Sequence, residues 1–431
     1  MSPRVMIRVP RPPIWSVPMI YVVASVVAAL VLPRLEHAYL PENVTPIAVD
    51  SARQFFSAIA SGMLAFTGIV FAIALMAVQF SAAAYSPRLA NMLFERPPVF
   101  HALGIFFATF TYALAALNWS GRGGSDSAPQ FSTILVGLLM VVSMFAFAWL
   151  IHSIRELQIH FVLDAVGSKG RAVVEAMPKA DVDGELDARE EPHLARETTR
   201  QLIVHEGRPR VVDELNLLGL LELAKTAGGV IEVQCAVGDT LMEGAPLASV
   251  HGASSPIPAG RLRAGIRLGP VRTFEQDPRY AVRLLVDVAI RALSPAVNDP
   301  TTAVQAIDQI DDLLRRIGRR RLASGVVRDE AGALRVVFPA PTWTDYLELS
   351  FDEIRQYGAG SLQVQRRLRA ALRGLADALP AGERRSAVEG YLDHLDHGLE
   401  RAGFDALDHA AGMVADPQGL GSPRRVVDRG L

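Results

Sequence analysis

Four long apolar runs in the first third of the chain constrain its fold more than any other feature. They cover residues 15–32, 58–80, 99–119 and 131–151, and none contains Asp, Glu, Lys or Arg. A helix needs about 20 apolar residues to cross roughly 30 Å of hydrocarbon, so each run is close to the length of one crossing. The pattern predicts a membrane domain of four transmembrane α-helices within residues 1–155.

The first apolar run also has some features of a signal peptide, because Arg4, Arg8 and Arg11 precede it. A signal peptide ends in a cleavage site of small residues, whereas Pro33 and Arg34 follow this run, and three further apolar runs come after it. We therefore interpret it as a membrane helix.

Lys and Arg residues in the loops predict the orientation of the spans, because these residues are retained on the cytoplasmic side. A cytoplasmic N-terminus puts eight of them on the inner flanks and three outside. The inner set is Arg4, Arg8, Arg11, Arg88, Arg96, Arg155, Lys169 and Arg171, and the outer set is Arg34, Arg53 and Arg122. We therefore expect a multi-pass protein of the inner (plasma) membrane with both termini in the cytoplasm. The single cysteine, Cys235, fits that reducing compartment.

Small residues recur at four-residue spacing in the second apolar run, for example Ser57 and Ser61. Such pairs let helix backbones approach closely. We expect this helix at the centre of a homo-oligomer, where Thr67 and Gln79 would line a polar path through the membrane. The alternative is that both side chains hydrogen-bond to neighbouring helices.

From residue 152 onward, charged residues recur every few positions, as in soluble proteins. Ile231, Val233 and Cys235 alternate with less apolar residues, which predicts a strand with one buried face within a small β element. Later apolar patterns are helical, and Arg366 and Arg369 belong to a basic helix face that is either solvated or in contact with anionic lipid. We expect a linker at 156–205, a cytoplasmic α+β domain at 206–340, a helical region at 341–415 and a disordered tail at 416–431.

The most distinctive stretch, residues 269–318, reads as two amphipathic helices separated by a break at Ser294 and Pro295. A helix N-terminus with hydroxyl groups suits an anion, while nearby carboxylates suit a cation. The alternative is that these residues cap the helices and brace a sharp corner. The candidate ligand residues are Arg272, Glu275, Asp277, Asn298, Asp299, Thr301 and Thr302.

Several function classes lack support in the sequence. The net charge of -2 gives no concentrated positive field for nucleic acid. No Lys follows Lys225, which disfavours a lysine-linked swinging-arm cofactor, and no cysteine and histidine cluster predicts a metal site. No phosphate-binding loop or hydrolase motif is present, so we predict neither a cofactor nor enzymatic activity.

Four blocks of sequence resemble a bacterial family of predicted membrane proteins, domain of unknown function 2254. They are residues 66–71 with Gln79, residues 85–89, residues 272–277 and residues 287–303. The resemblance implies membrane helices followed by a soluble domain. It implies no activity, substrate or catalytic residue.

Two functional hypotheses follow. The first is an oligomeric channel- or transporter-like assembly that is controlled by the cytoplasmic domain. The second is a membrane-tethered sensor or scaffold that binds a small ligand, an ion or a protein at the corner formed by Asp277 and residues 298–302. In both, the lipid bilayer is the main partner.

Overall fold

The computed structural model describes residues 16–39, 47–84, 97–120, 130–155, 159–177 and 199–421. It divides into two compact units, Met1–Gln158 and Ile159–Leu431. The predictions for the acidic and basic segment 178–198, for the flanking Arg4, Arg8, Arg11, Arg88, Arg96 and Arg122, and for residues 422–431 lie outside the described residues.

The first unit consists of apolar helices. They are α1 (Ser16–Tyr39), α2 (Val49–Ala84), α3 (Pro97–Trp119) and α4 (Gln130–Arg155). In the described part of the chain, three are long and apolar enough to cross a membrane, at Val49–Ile73, Val99–Asn118 and Gln130–Ser153, and α1 contributes a shorter apolar stretch, Ser16–Leu32. The prediction of several membrane-type helices is confirmed.

Helix α3 is the most enclosed helix of the first unit, because it packs against α1, α2 and α4. Half of the apolar stretch of α3 is buried, compared with 28% of that of α2 and 22% of that of α4. Hydroxyl groups join α3 to its neighbours: Thr109 Oγ1 lies 2.9 Å from Ser143 Oγ on α4, and Ser25 Oγ on α1 donates to the Ala108 carbonyl at 2.7 Å. Within one chain, α3 therefore holds the central position. The place of the second span at the centre of a homo-oligomer stays a prediction.

Seven helices of the second unit form one packed body. They are α5 (Ile159–Ala176), α8 (Pro278–Ala292), α9 (Pro300–Ile317), α10 (Trp343–Tyr357), α11 (Leu362–Ala378), α12 (Glu383–Arg401) and α13 (Ala406–Gly412). Helix α9 packs against α5, α8 and α11, and α8 also contacts α10. The expected boundary at residue 340 therefore falls inside one compact unit.

Helix α5 occupies residues that the sequence analysis assigned to the linker at 156–205. Its buried residues, Val162, Leu163, Val166, Gly167, Gly170 and Val174, recur at helical spacing. Gly170 permits close contact with α8, since an added Cβ would lie 2.8 Å from Ala281 Cβ. This helix was not predicted, because its apolar face is built partly from glycine, which carries no hydrophobic signal.

The strands form two sheets rather than one small β element. The strands are β1 (Thr199–Val204), β2 (Arg210–Leu215), β3 (Val230–Val233), β4 (Thr240–Leu241), β5 (Pro246–His251), β6 (Ile266–Gly269), β7 (Val326–Arg328) and β8 (Leu334–Val337), and the short helices α6 (Leu217–Ala227) and α7 (Ala259–Ala264) lie between them. One sheet has the order β1-β5-β3-β8-β7 and the other β4-β2-β6. The first is antiparallel except for the parallel pair β3 and β8. The predicted buried face of β3 is correct, since Ile231 and Val233 are at most 2% exposed. The strand ends at Val233, and Cys235, two residues later, is also buried.

The predicted disordered tail begins with an ordered segment, because residues 416–421 pack against α11. Asp416 is fully buried, and its carboxylate accepts hydrogen bonds from the backbone of Gln418, Gly419 and Gly421. Arg366 of α11 donates to the Gly421 carbonyl at 2.7 Å, and the fully buried Arg369 donates to the Gly412 carbonyl at 3.1 Å. These two arginines therefore hold the C-terminal segment and do not form a basic surface.

Candidate functional site

The predicted ligand residues 272–277 form a brace between elements of the second unit. Arg272 pairs with Asp277, whose side chain is 4% exposed, and the Arg272 guanidinium lies 5.7 Å from the Tyr280 ring centroid. Glu275 pairs with Arg267 of β6, and Gln276 Oε1 accepts from the Leu215 amide of β2 at 3.1 Å. These side chains are occupied by contacts within the protein.

The glycine turn before β4 depends on the same brace. Gly238 has a φ of +94°, and an added Cβ would lie 2.6 Å from the Arg272 guanidinium carbon. A residue with a side chain would therefore strain the backbone and also displace Arg272. The turn and the Arg272–Asp277 pair hold each other in place.

The second group of predicted ligand residues lies at the corner between α8 and α9. Asp299 caps α9, since its carboxylate accepts from the Thr302 amide at 3.1 Å and from the Thr302 hydroxyl at 2.6 Å. Asn298 has a φ of +47° and is exposed, as is Thr301. This arrangement is the capping and bracing role that the sequence analysis weighed as the alternative.

The structure does not bring the two predicted groups together. Asp277 precedes the first turn of α8, and residues 298–302 follow its C-terminal end. Helix α8 has 15 residues, so at 1.5 Å per residue its ends are about 20 Å apart. They form two separate places and not one corner.

The predicted polar path residues also lie apart on helix α2. Thr67 is 4% exposed, and its hydroxyl donates to the Met63 carbonyl of the same helix at 2.6 Å. Gln79 is exposed. Twelve residues along a helix correspond to a rotation of roughly 120°, so Gln79 and Thr67 point in different directions.

A pocket of about 390 Å³ opens beside Asp277. Its walls come from the start of α8, the ends of β2 and β3, the segment after α9, and the chain from β8 into α10. The lining residues are Met177, Leu215, Leu217, Ala236, Val237, Gln276, Asp277, Pro278, Arg279, Arg321, Leu322, Ala323, Ser324, Phe338, Pro339, Ala340, Pro341 and Tyr346. Most are apolar, and among the described residues no group of three His, Cys, Asp or Glu side chains is placed to hold a metal ion.

Three polar groups of this pocket lack a partner in the part of the chain that the structure describes. Arg279 is half-buried and Arg321 is exposed, and neither forms an ion pair or a side-chain hydrogen bond there. Tyr346 is 1% exposed, and its hydroxyl has no hydrogen-bond partner among those residues. We refer to this cavity, with Arg279, Arg321 and Tyr346, as the arginine pocket.

Asp277 was predicted from the sequence, whereas Arg279, Arg321 and Tyr346 were not. Arg279 stands two positions after Asp277, and Arg321 ends a run of three arginines. Tyr346 belongs to the apolar stripe of α10. The run of three arginines is visible in the sequence, but only the folded structure shows that Arg321 lines the cavity.

Comparison with known proteins identifies the family. A model described as "Predicted membrane protein (DUF2254)" matches residues 11–374. The chain belongs to this family. The DUF2254 match spans the apolar helices of the first unit and every residue of the arginine pocket.

Two curated relatives come from mycobacteria. The "Uncharacterized protein Mb1321c" of Mycobacterium bovis and the "Uncharacterized protein Rv1290c" of Mycobacterium tuberculosis are each 28% identical over 370 residues, which cover 83% of this chain and 70% of theirs. No solved structure is detectably similar to the chain.

Proposed function

We propose that this DUF2254 protein is a membrane-anchored sensor whose second unit binds a small ligand in the arginine pocket. The observation that carries the proposal is the pocket itself, because it combines apolar walls with polar groups that the described protein leaves without partners. Concave, mostly apolar cavities with a few polar groups are typical ligand sites. The proposed role is binding and not catalysis.

The same proposal places the protein in the inner membrane, with α1–α4 as four spans and both termini in the cytoplasm. The apolar stretch of α1 and the excess of Lys and Arg on one side support this topology. A fluorescent reporter and an alkaline phosphatase reporter, each fused to the C-terminus, test it. Fluorescence without phosphatase activity is expected, and the reverse result would contradict the topology.

Filling the pocket tests ligand binding. Ala323 lines the arginine pocket, whereas Ala331 is exposed in the turn between β7 and β8 and does not line it. We expect the small-molecule fraction of a bacterial extract to raise the thermal unfolding temperature of the full-length protein in nanodiscs, because binding to the folded state stabilises it. Ala331→Trp should retain this shift and Ala323→Trp should lose it. An equal shift in both variants would exclude the pocket.

One observation favours the second candidate, an oligomeric channel- or transporter-like assembly. The face of α2 that does not pack within the chain carries the exposed residues Ala58, Ser61, Gly62, Ala65 and Gly68. An added Cβ at Gly62 or Gly68 would meet no atom within 4 Å. Small residues on such a face suit close packing of helices in lipid.

Liposome flux distinguishes this candidate from the sensor. A channel or transporter should move ions or solutes under a potential or a pH gradient, and Gly62→Leu with Gly68→Leu should reduce both flux and cross-linked oligomers. Absence of flux from well-reconstituted protein would remove the candidate. The sensor proposal requires no flux.

A further inference from the structure

The arginine pocket carries positive charge that the described protein does not neutralise. Arg279 and Arg321 both line it without an ion-pair partner in the described residues. The one carboxylate in the lining, Asp277, is already paired with Arg272. An entering ligand therefore meets two guanidinium groups and no free acidic group, which favours an anion.

Tyr346 adds a hydrogen-bond donor at the same place. Burial raises the pKa of its phenol, and the nearby Arg279 guanidinium opposes that rise while Asp277 adds to it. The hydroxyl is therefore protonated near neutral pH and available to donate. The Tyr346 hydroxyl has no hydrogen-bond partner among the described residues and lines the cavity, so it is free to donate to an acceptor oxygen of a ligand.

The remaining walls select for an apolar body. Leu215, Leu217, Val237 and Phe338 line the cavity around the polar groups. A small inorganic anion would leave this surface uncovered, whereas a molecule with a hydrocarbon or aromatic portion would bury it. The volume of about 390 Å³ lies within the range of roughly 300–1,000 Å³ that is usual for small-molecule sites.

We infer that the arginine pocket binds an amphipathic organic anion, with its phosphate or carboxylate group on Arg279, Arg321 and the Tyr346 hydroxyl and its apolar body on the apolar residues of the lining. This inference rests on the proposed sensor function and specifies its ligand class. The anionic group belongs either to a soluble metabolite or to a lipid headgroup, since both present the same chemistry.

Calorimetric titration of the full-length protein in phosphatidylcholine nanodiscs tests the inference. The probes are naphthyl phosphate, the neutral naphthol and inorganic phosphate, with empty nanodiscs as the blank. Naphthyl phosphate should bind at least tenfold more tightly than either other probe. Arg279→Gln loses a hydrogen bond to a charged group and should bind naphthyl phosphate about tenfold to a hundredfold more weakly. Tyr346→Phe loses the hydroxyl and should bind it about threefold to tenfold more weakly.

A neighbouring arginine provides the matched control. Arg319 is exposed and does not line the pocket, so Arg319→Gln should bind naphthyl phosphate as the unsubstituted protein does. Repeating the titration in phosphatidylglycerol nanodiscs separates the two sources. If naphthyl phosphate binds more weakly in phosphatidylglycerol than in phosphatidylcholine nanodiscs, and this difference requires Arg279, the site binds a lipid headgroup. If its affinity is the same in both, the site binds a soluble anion.

Two results would overturn the inference. One is naphthol binding as tightly as naphthyl phosphate, and the other is equal weakening by Arg279→Gln and Arg319→Gln. In either case, an extract-induced thermal shift that is lost only in Ala323→Trp would leave the sensor proposal intact. If Ala323→Trp and Ala331→Trp instead showed the same thermal shift, the proposed function itself would be wrong.

Discussion

Replacing Arg272 tests how strongly the brace beside the arginine pocket is held. The Asp277 side chain is 4% exposed and depends on Arg272, which is itself 29% exposed. Removing one partner of a buried ion pair typically costs 3–5 kcal/mol, because the other charge is left buried and unpaired. Water that reaches the site through the exposed part of Arg272 offsets some of this cost. We therefore expect Arg272→Met to lower the free energy of unfolding by about 3 kcal/mol.

A double-mutant cycle isolates the charge contribution. Asp277→Asn removes the carboxylate charge, so the double variant should be more stable than Arg272→Met alone by about 1–2 kcal/mol. Urea titration followed by tryptophan fluorescence provides the assay, since the buried Trp343 is the single tryptophan of the second unit. The other tryptophans lie in the first unit.

An exposed ion pair provides the control for this cycle. Lys225 and Glu222 are 35% and 67% exposed and form an i, i+3 pair on α6. Lys225→Met should leave the free energy of unfolding nearly unchanged, because water screens an exposed ion pair. If Arg272→Met costs as little as Lys225→Met, or if Asp277→Asn recovers nothing, the reasoning about the buried pair is wrong.

Three further predictions concern the second unit. Burial, with a contribution from Asp239, raises the pKa of the Cys235 thiol from 9.0 to about 12. The native thiol should therefore react with Ellman's reagent far more slowly than the urea-unfolded thiol. The free energy of unfolding should also fall as the pH rises above 9.0, because the unfolded thiol loses its proton first. Equal reactivity in both states would contradict its burial. Asp299→Ala removes the cap of α9 and should cost about 1 kcal/mol in urea titration, and an unchanged midpoint would contradict the capping role. Asp416→Ala should accelerate amide hydrogen exchange at residues 418–421, and unchanged exchange would show that the Asp416 carboxylate is not needed to hold this segment.

Local patterns predicted several elements correctly. The break at Ser294 and the cap at Asp299 each follow from a few neighbouring residues, and both appear where the sequence placed them. The buried face of β3 likewise follows from alternation along a few residues. Such features are predictable because their hydrogen bonds and side-chain directions are set by the chain segment itself.

Long-range contacts decided which arginines are buried. Arg366 and Arg369 read as a surface stripe, yet they are 3% and 1% exposed because the chain returns to cover them with residues 412–421. The periodicity of α11 is the same whether or not a segment packs on that face. A solvated basic face and a buried one therefore have the same sequence pattern.

Patterns in consecutive residues were enough to predict apolar membrane-type helices followed by a charged unit of helices and strands, because the length of an apolar run and the period of a helix or strand depend only on neighbouring residues. The packing of distant elements brings Arg279, Arg321 and Tyr346 into one cavity with Asp277, and it leaves Asn298 at the other end of α8. These residues belong to different elements, and their meeting depends on how α8, α9 and α10 pack, which no local pattern specifies.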